Sequence, residues 1–491
     1  MKLAKLVRDA LGVRPPLPDT EVLRVVQDTR ELEPGIPSVF VARRGGALDG
    51  HRFAERAIVQ GAVAIVGAAL PEEQKTFPWY YAVPYIYVPD DKIALAKLAA
   101  TLQGQPSRKL FTLGVTGTDG KTTTAYLLYH LLSLSFPTGL LSTAGVKVRG
   151  ETLSLPGHFT TPEAPAVQEL LARFVAAGCR YGVIESSSHG FAQHRLDEVD
   201  YDVGVWTNLS PEHLDFHGTM AAYREAKLQL IDRARVSVLN FDDPEYRFFA
   251  QRAAHSVSYG TAAGALWRAT RVRERPGRLE WLLELRGARF EASLPMIGRY
   301  NVLNALGALA AASETGVSTG VLLRRLASFP GVPGRMQVVQ QSPVAVVVDF
   351  AHTPPALTKA LQAVRPQVSG RLIVVVGAAG ERDPGKRAPL GESAVQNADM
   401  TVFTEEDSRS EDAQHILAQL AEGARGSGGA EGKTFLIVPD RREAIRWALA
   451  SAAPGDLVLL AGKGHETTLE RANETLPWDE VAEAKAALGE R

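Results

Sequence analysis

Short apolar runs alternate with glycine-rich turns and amphipathic stretches along most of the chain. Strands that alternate with helices in this way predict an α/β architecture with mainly parallel sheets. The first strong run is followed by a glycine loop and then by a helical pattern over Thr122–Leu134. The candidate strands are Leu110–Val115, Tyr181–Ile184, Val203–Thr207, Val236–Leu239, Ala345–Asp349, Leu372–Val376, Thr401–Thr404, Phe435–Val438 and Leu457–Ala461.

One segment, Trp267–Leu294, departs from this alternation. Its strand-like runs are separated by Pro276-Gly277 and by a turn near Gly287, which predicts a small antiparallel meander. The segment is rich in arginine, but glutamates are interleaved and no aromatic-basic platform is present. We therefore interpret it as a solvated hairpin face rather than a nucleic-acid surface.

Two polar segments that contain proline divide the chain. Gln103–Lys109 precedes the first strong strand, and Phe329–Arg335 follows a helical stretch. A length of 491 residues is enough for about three domains. We expect domains over residues 1–107, 108–332 and 333–491, with Gly426–Gly432 as a surface loop inside the last.

Composition excludes several classes of protein. The 54 Lys and Arg residues balance 55 Asp and Glu, so no overall field attracts nucleic acid or an anionic membrane. The single cysteine, Cys179, excludes an internal disulfide framework and a cysteine-rich metal site. No apolar run resembles a signal peptide or approaches the ~20 residues of a membrane helix. We expect a soluble cytoplasmic monomer without nucleic-acid or membrane partners.

A glycine loop between the first strong strand and its helix carries the clearest chemistry. Its glycines let backbone N–H groups surround phosphate oxygens, and the helix adds its N-terminal dipole. Lys121 would reach the β- and γ-phosphates, and the Thr122 hydroxyl would bind Mg²⁺. The general P-loop has a glycine where this chain has Val115, so the loop is a variant form. It predicts nucleotide binding but not what the nucleotide drives.

Acids and histidines follow downstream. Glu185 ends a predicted strand, where a second magnesium contact would lie, and the G-x-S-x-G elbow of serine hydrolases is absent around Ser187. His213 and His217 have helical spacing that suits zinc, but the H-E-x-x-H order and a third ligand are missing. The alternative is that Asn208, His213 and Asp215 approach an ATP-bound magnesium.

Five segments in one order resemble the Mur ligase family: TGTDGKTTT, IESSSHGFAQHR, TNLSPEHLDFHGTMAAYREAK, MIGRYNVLNALGALAAA and VDFAHTP. Thr160-Thr161-Pro162, GERDPGKR at Gly380–Arg387 and GKGHE at Gly462–Glu466 resemble the branch that attaches a diamino acid. The matching motifs extend from about Asp28 to Glu466. Any one of them alone is weak, whereas all of them in this order are highly specific.

The resemblance implies three domains. The first would hold the UDP end of the substrate, because Asp28-Thr29-Arg30 is similar to the family's D-S-R segment, with Thr29 in place of serine. Phe40–Arg52 is similar to the loop beside it, although Gly45-Gly46-Ala47 stands where the family often has G-H-Q. The central domain would bind ATP, and the last would be a Rossmann-like sheet that carries the amino acid.

Site residues follow from the resemblance, position by position. Those for ATP are Gly117, Thr118, Asp119, Gly120, Lys121, Thr122, Thr123, Asn301, Asn304, Arg335, Asp349 and His352. Those for the UDP-muramoyl peptide are Thr29, Thr160, Thr161, Ser187, Gln193 and Arg195. Those for the incoming amino acid are Arg382, Glu406, Asp407, Ser408, Arg409, Gly462 and Glu466. Those for two Mg²⁺ ions are Thr122, Glu185, His213 and Lys227 as a carbamate.

Lys227 shows what the resemblance adds. From the residue pattern alone it is an exposed helix lysine, whereas its position matches a lysine that family members carbamylate. The catalytic group would then be Lys121, Lys227, His213 and Glu185. A carbamate turns a cation into a carboxylate-like group that can help to bind a second Mg²⁺.

The implied reaction is ATP-driven amide formation. The γ-phosphate would pass to the D-Glu γ-carboxylate of UDP-MurNAc-L-Ala-D-Glu, and an amine would attack the acyl phosphate. Cations must bring a carboxylate and a triphosphate together, and closure must exclude water. Members that use meso-diaminopimelate typically show D-N-P-R, whereas this chain has Glu406-Asp407-Ser408-Arg409. The implied incoming amino acid is therefore meso-diaminopimelate, L-lysine or L-ornithine, and the sequence does not distinguish among them.

Two alternatives compete with this hypothesis. A folylpolyglutamate-synthase-like ligase shares the ATP machinery but lacks the UDP-side motifs and GKGHE. A regulatory P-loop ATPase would use Val344–Asp349 as its Walker-B strand, but that strand lies more than 200 residues beyond the loop. ATP hydrolysis without either ligase substrate would favour the regulatory ATPase.

Overall fold

The computed structural model describes residues 1–45, 48–79, 82–153 and 160–489. It divides into two compact units. The first comprises Met1–Ala265 and Gly307–Val317, and the second comprises Leu266–Leu306 and the chain from Ser318 onward. Helices alternate with mostly parallel strands in both, so the predicted α/β class is confirmed. Within the described ranges, no helix combines the length and apolarity needed to cross a membrane.

The helices of the described residues are α1 (Leu3–Leu11), α2 (Ala54–Val59), α3 (Pro71–Gln74), α4 (Asp91–Leu102), α5 (Lys121–Ser133), α6 (Ala164–Ala176), α7 (Ser188–Ala192), α8 (Leu214–His217), α9 (Met220–Arg233), α10 (Tyr246–Arg252), α11 (Tyr300–Ser313), α12 (Thr319–Leu326), α13 (Pro354–Val364), α14 (Arg387–Asn397), α15 (Ala413–Gly426), α16 (Arg441–Ser451) and α17 (Glu480–Gly489). Short 3₁₀ turns occupy Thr29–Glu31, Gly50–Phe53, Pro106–Lys109, Arg365–Gln367 and Pro384–Lys386.

The strands are β1 (Arg24–Val26), β2 (Ser38–Ala42), β3 (Ala62–Gly67), β4 (Tyr85–Tyr87), β5 (Phe111–Thr116), β6 (Thr138–Ser142), β7 (Gly145–Val148), β8 (Glu151–Leu153), β9 (Tyr181–Glu185), β10 (Tyr201–Trp206), β11 (Ala234–Asn240), β12 (Ser256–Gly260), β13 (Trp267–Arg275), β14 (Arg278–Leu285), β15 (Ala288–Leu294), β16 (Gln337–Gln340), β17 (Ala345–Asp349), β18 (Leu372–Val376), β19 (Met400–Phe403), β20 (Phe435–Ile437), β21 (Leu457–Ala461), β22 (Thr468–Arg471) and β23 (Glu474–Pro477).

The N-terminal part of the first unit is a parallel four-stranded sheet in the order β1-β2-β3-β4. Alternate side chains of a strand point to opposite faces. Val39 and Val41 accordingly join a core with α1 and α4, whereas Phe40 packs in a second core with α2 residues and Trp79. A parallel sheet covered on both faces explains why its strands are almost wholly apolar.

The larger sheet of the first unit positions the glycine loop. Its parallel strands run in the order β12-β11-β10-β5-β9-β6, and β7 and β8 extend it antiparallel. The strand β5 is flanked by β9 on one side and β10 on the other. The chain reverses its direction of winding there, and ligands of open α/β sheets bind at such a switch point.

The second unit contains the predicted meander and a second α/β sheet. The meander is confirmed as β13, β14 and β15, which pair antiparallel with turns at Pro276-Gly277 and Arg286-Gly287. The other sheet has the order β16-β17-β21-β18-β19-β20 and is parallel apart from β16. Predicted strands at 345–349, 372–376 and 457–461 coincide with β17, β18 and β21, and the others differ by a few end residues.

A buried ion pair joins α16 to α17, and removing it is expected to destabilise the second unit. Arg441 Nη2 lies 2.6 Å from Glu480 Oε1, and both side chains are fully buried. Arg441→Ala leaves Glu480 buried without its cation, which costs about 3–5 kcal/mol. Guanidinium unfolding followed by circular dichroism measures the change. Arg442→Ala, at an exposed arginine, is the control, and equal midpoints for both variants would contradict the prediction.

Candidate active site

The glycine loop lies at the carboxyl end of β5, as the strand–loop–helix pattern predicts. Gly117 has φ +149°, and a Cβ there would lie 1.8 Å from Thr207 Oγ1. Only glycine fits this close approach. Helix α5 begins at Lys121, so its first N–H groups border the loop. The loop therefore offers the cradle of backbone donors on which phosphate binding depends.

The loop is tied to the segment after β10. The Asp119 amide donates to Asn208 Oδ1 at 2.9 Å, and Thr207 Oγ1 donates to the Asp119 carbonyl at 2.7 Å. Thr118 Oγ1 shares a hydrogen bond of 3.1 Å with the Tyr223 hydroxyl. Tyr223 lies on α9, and its local sequence contains nothing that predicts this contact. These bonds connect the loop to two elements, the segment after β10 and helix α9.

Glu185, at the end of β9, lies beside the loop. Its carboxylate is buried and accepts hydrogen bonds from Thr122 Oγ1 and Thr143 Oγ1, both at 3.0 Å. Ser142 Oγ and the Thr143 amide donate to its other oxygen. The structure thus brings together Thr122 and Glu185, two of the residues predicted to bind magnesium. The sequence gives no sign of Ser142 and Thr143.

Two lysines converge on one backbone oxygen. Lys121 Nζ lies 3.1 Å from the Gly117 carbonyl oxygen, and Lys227 Nζ donates to the same oxygen at 2.5 Å. The view of Lys227 as an exposed helix lysine is wrong, because its side chain is buried and lies 4.3 Å from the centre of the Tyr223 ring. Burial, together with the charge of Lys121, lowers the pKa of Lys227 well below its usual value. Desolvation disfavours the charged ammonium form, so burial shifts this lysine toward the neutral amine.

Three histidines line the same region. The rings of His213 and His217 lie 4.7 and 5.3 Å from that of His189. Burial lowers the pKa of His189 to about 4, and the other two histidines act in the same direction. His213 is partly exposed, with Nε2 3.6 Å from Glu212 Oε2. In the described part of the chain, no group of three or more His, Cys, Asp or Glu side chains is arranged to hold a metal.

Four residues predicted for the UDP-muramoyl peptide form one cluster. Thr161 Oγ1 lies 2.9 Å from Ser187 Oγ, and Arg195 Nη1 donates to the Thr161 carbonyl at 2.9 Å. Arg195 Nη2 donates to Gln193 Oε1 at 2.6 Å. Thr160 points instead to Thr143, and their hydroxyl oxygens lie 3.0 Å apart. Thr143 donates to Glu185, so Thr160 adjoins the carboxylate cluster beside the glycine loop.

Thr29 lies in a separate groove of about 490 Å³ at the N-terminal sheet. Asp28 and Arg30, its neighbours, pair with each other at 2.5 Å. Of the loop predicted to adjoin the groove, Gly45 contributes to the lining, whereas Gly46 and Ala47 lie outside the described residues. The remaining lining residues are Gln27, Phe40, Arg43, Leu48, Gly50, Phe53 and Arg56.

In the second unit, two of the residues predicted for ATP contact each other, and others contact neighbouring residues. Asn304 Nδ2 donates to Asn301 Oδ1 at 2.8 Å, and both amides are buried. Arg335 stacks over the Phe350 ring at 4.5 Å. Asp349 accepts the Met336 amide at 2.7 Å, and burial raises its pKa. Burial lowers the pKa of His352, so a neutral imidazole is favoured.

Most of the acidic charge in the predicted amino-acid site is already paired. Arg471 lies 2.6 Å from Glu405, and Lys463 lies 2.8 Å from Asp407 and 2.7 Å from Glu466. Lys463 is fully buried, and its role was not predicted. Burial raises the pKa of both Glu406 and Glu466, but Glu406 differs because its Oε2 has no hydrogen-bond partner among the described residues.

Gly462 explains how the Glu406 carboxyl is accommodated. Its φ is +107°, and a Cβ there would lie 2.7 Å from Glu406 Oε2. Ser408 is buried, whereas Arg382 is exposed. Arg409 uses Nε for Glu470, at 2.8 Å, and Nη1 for the Gly380 carbonyl, at 2.8 Å. A ligand carboxylate can therefore meet Arg409 only end-on.

Together, the switch-point loop, the Thr122–Glu185 contact and the buried Lys227 define a nucleotide-dependent α/β enzyme. Residues 115–312 match the Mur ligase middle domain, and residues 334–464 match the family described as "Mur ligase, glutamate ligase domain". The chain belongs to the Mur ligase family.

Relatives that match over nearly their whole length show which members of the family this chain resembles. The chain is 51% identical to UDP-N-acetylmuramyl-tripeptide synthetase of Deinococcus radiodurans, over 97% of this chain and 96% of that protein. It is 37% identical to the UDP-N-acetylmuramoyl-L-alanyl-D-glutamate–2,6-diaminopimelate ligase of Geobacillus thermodenitrificans, over 96% of each. A solved structure of a ligase with the same name covers 100% of this chain and 99% of its own, with a TM-score of 0.69 and 28% identity.

Proposed function

We propose that this protein is an ATP-dependent, ADP-forming ligase of cytoplasmic peptidoglycan precursor synthesis. It adds a diamino acid to the D-Glu γ-carboxylate of UDP-MurNAc-L-Ala-D-Glu through an acyl phosphate. The observation that carries the proposal is the convergence of Lys121 and Lys227 on the carbonyl of Gly117, beside the Thr122–Glu185 pair. The full-length similarity to tripeptide synthetases supports it over a folylpolyglutamate synthase or a regulatory ATPase.

Each of the three substrates is assigned to one of the domains proposed from the sequence. Residues 1–107 hold the UDP end, residues 108–332 bind ATP and residues 333–491 bind the amino acid. The two family matches, over residues 115–312 and 334–464, support the second and third assignments. The groove that contains Thr29 supports the first, because it is concave and lies at the end of a parallel sheet.

Charge neutralisation is the main task of the centre, because a triphosphate and a carboxylate repel each other. Lys121 and the donors of the loop act on the phosphates, which are the charges that shift during transfer. Mg²⁺, when bound, supplies Lewis-acid charge, and Thr122, Glu185 and His213 offer it oxygen and nitrogen donors. The buried Glu185 accepts the hydroxyl hydrogen of Thr122, so a lone pair of that hydroxyl oxygen stays available to Mg²⁺.

Lys227 is proposed to carry CO₂ as a carbamate. Its neutral nitrogen attacks the carbon of CO₂, an N–C bond forms, and one proton leaves to water. The product has one negative charge where a lysine ordinarily has one positive charge. The depressed pKa supports this step, because only the unprotonated amine has a lone pair to donate. A carboxylate-like group at this place would help to bind a second Mg²⁺.

The amino acid is proposed to bind among Arg382, Glu406–Arg409, Gly462 and Glu466. Asp407 and Glu466 share the single cation of Lys463, whereas Glu406 keeps an oxygen available to an ammonium group. Arg409 accepts a carboxylate end-on. One acid for an amine and one arginine for a carboxylate suit a diamino acid, and meso-diaminopimelate, L-lysine and L-ornithine all meet that description.

A ligation assay with an amino-acid panel tests the proposal. Phosphate release is expected only when ATP, UDP-MurNAc-L-Ala-D-Glu and one of the three diamino acids are all present. Mass spectrometry should then find the UDP-linked tripeptide. Steady ATP hydrolysis without either substrate would instead indicate a regulatory ATPase, and glutamate addition to a folate would indicate the other ligase.

Arg409→Ala is expected to impair use of the amino acid much more than use of ATP. Loss of a charged hydrogen bond of about 1.5–3 kcal/mol raises the KM for the preferred amino acid by roughly 10- to 150-fold. The KM for ATP should stay within about twofold. Steady-state kinetics of Arg409→Ala and Arg409→Lys measure both, and Arg425→Ala, at an exposed arginine, is the control. An unchanged amino-acid KM would remove Arg409 from the site.

A further inference from the structure

A single carboxylate, that of Glu163, joins two arginines from distant parts of the first unit. Its Oε2 accepts Arg43 Nη1 at 2.9 Å, and its Oε1 lies 2.7 Å from Arg195 Nη2. Arg43 is 120 residues away along the chain. Each oxygen of the carboxylate is thus used by a different guanidinium group.

This use of Glu163 is not required by the local fold. Glu163 is the N-cap residue of α6, a place where Ser, Thr, Asp or Asn ordinarily accepts a backbone N–H of the first turn. Here the side chain makes no such capping bond. The helix begins without its help, and the carboxylate is directed to the two arginines instead.

Each arginine also belongs to one part of the proposed substrate site. Arg43 lines the N-terminal groove and donates to Gln27 Oε1 at 2.5 Å. Arg195 holds Gln193 and the carbonyl of Thr161 in the cluster proposed for the muramoyl peptide. Glu163 therefore connects the groove to the cluster.

We propose that Glu163 is a positioning residue that holds Arg43 and Arg195 at a set separation before the substrate arrives. The inference rests on the proposed function, because it takes these residues to face a UDP-linked peptide. An arginine side chain has about 2 kcal/mol of rotamer entropy to lose, and two guanidinium groups repel each other. Glu163 offsets both costs in the free protein, so the phosphates and carboxylates of the substrate meet donors that are already oriented.

The sign of the effect distinguishes positioning from simple charge. A carboxylate near an anionic substrate repels it, so removing Glu163 would tighten binding if charge alone mattered. If positioning dominates, removal weakens binding. The two accounts predict opposite changes in one measured constant.

The experiment compares Glu163→Ala and Glu163→Gln with the unaltered protein. Calorimetry gives the Kd for UDP-MurNAc-L-Ala-D-Glu, and ligation kinetics give kcat and both KM values. For Glu163→Ala we expect Kd and the KM of the UDP substrate to rise about tenfold, or 1.4 kcal/mol. The kcat and the KM for ATP should change less than threefold. Glu163→Gln keeps one acceptor oxygen, so its Kd and KM for the UDP substrate should lie between those of the unaltered protein and Glu163→Ala. Glu169→Ala, on the same helix, is the control.

A double-mutant cycle with Arg43→Ala separates positioning from direct contact. If Glu163 acts through the arginines, Glu163→Ala should weaken binding less than threefold in the Arg43→Ala background. A full tenfold loss there, tighter binding by Glu163→Ala, or no change in Kd would each overturn the inference. Thermal unfolding of every variant identifies any that fail to fold, and Glu163→Gln then supplies the comparison. Binding without ligation in the unaltered protein would refute the proposed function alone.

Discussion

Lys227→Ala is expected to lower kcat for ligation by about 10³-fold, the larger loss seen when one preorganised charge is removed from a catalytic site. The side chain is buried, its nitrogen contacts the Gly117 carbonyl at 2.5 Å, and its pKa is depressed. An exposed lysine would have none of these properties and little effect. Steady-state kinetics with saturating ATP, UDP-MurNAc-L-Ala-D-Glu and amino acid measure the loss of kcat.

Chemical rescue tests the carbamate itself. If the lysine acts as a carboxylate-like group, millimolar formate, acetate or propionate should restore part of the activity of Lys227→Ala. Removal of CO₂ and bicarbonate should slow the unaltered enzyme. Lys97→Ala, an exposed lysine on α4, is the control and should respond to neither treatment. Full activity of Lys227→Ala without added acid would reject the carbamate proposal.

Lys121→Ala is expected to lower kcat/KM for ATP by about 10³-fold while UDP-substrate binding is retained, because its charge opposes that of the phosphates. In the free protein, Lys121 Nζ donates to the Thr118 carbonyl at 2.7 Å, so the cation is already held at the mouth of the loop. Lys121→Arg keeps the positive charge but carries it on a bulkier, planar group. We expect this variant to recover only part of the lost kcat/KM for ATP.

The measurement pairs ATP kinetics with calorimetry of UDP-MurNAc-L-Ala-D-Glu. Lys109→Ala, at an exposed lysine just before β5, is the control and should match the unaltered enzyme. Equal losses of ATP use and UDP-substrate binding in Lys121→Ala would point to a collapsed loop rather than a missing charge. Normal kcat/KM for ATP would contradict the proposed role of Lys121.

The glycine loop and its surroundings were largely predictable from the sequence. A buried strand, glycines and a helix start are encoded by neighbouring residues, and the structure has them as β5, the loop and α5. Glu185 could be expected near the loop because strands of a parallel sheet end at one edge. The strands β1–β4, β6–β8, β12, β16, β22 and β23 were not predicted, and most of them are only three or four residues long.

The proposed amino-acid site contains contacts that the sequence did not predict. The sequence indicates an excess of acids at Glu405–Asp407. Arg471 and Lys463, more than 50 residues further along, neutralise two of them and leave Glu406. Likewise, Glu470, more than 50 residues further along, pairs with Nε of Arg409, a contact that the residues around Arg409 do not indicate.

By itself, the sequence determined the α/β class, the phosphate loop and the family, because these depend on residue types at short, fixed spacings. The tertiary structure alone decided that Lys227 is buried against the loop and that Glu163 joins Arg43 to Arg195. The physical reason is that desolvation and ion pairing depend on distances in space, and residues 120 positions apart acquire such a distance only when the chain has folded.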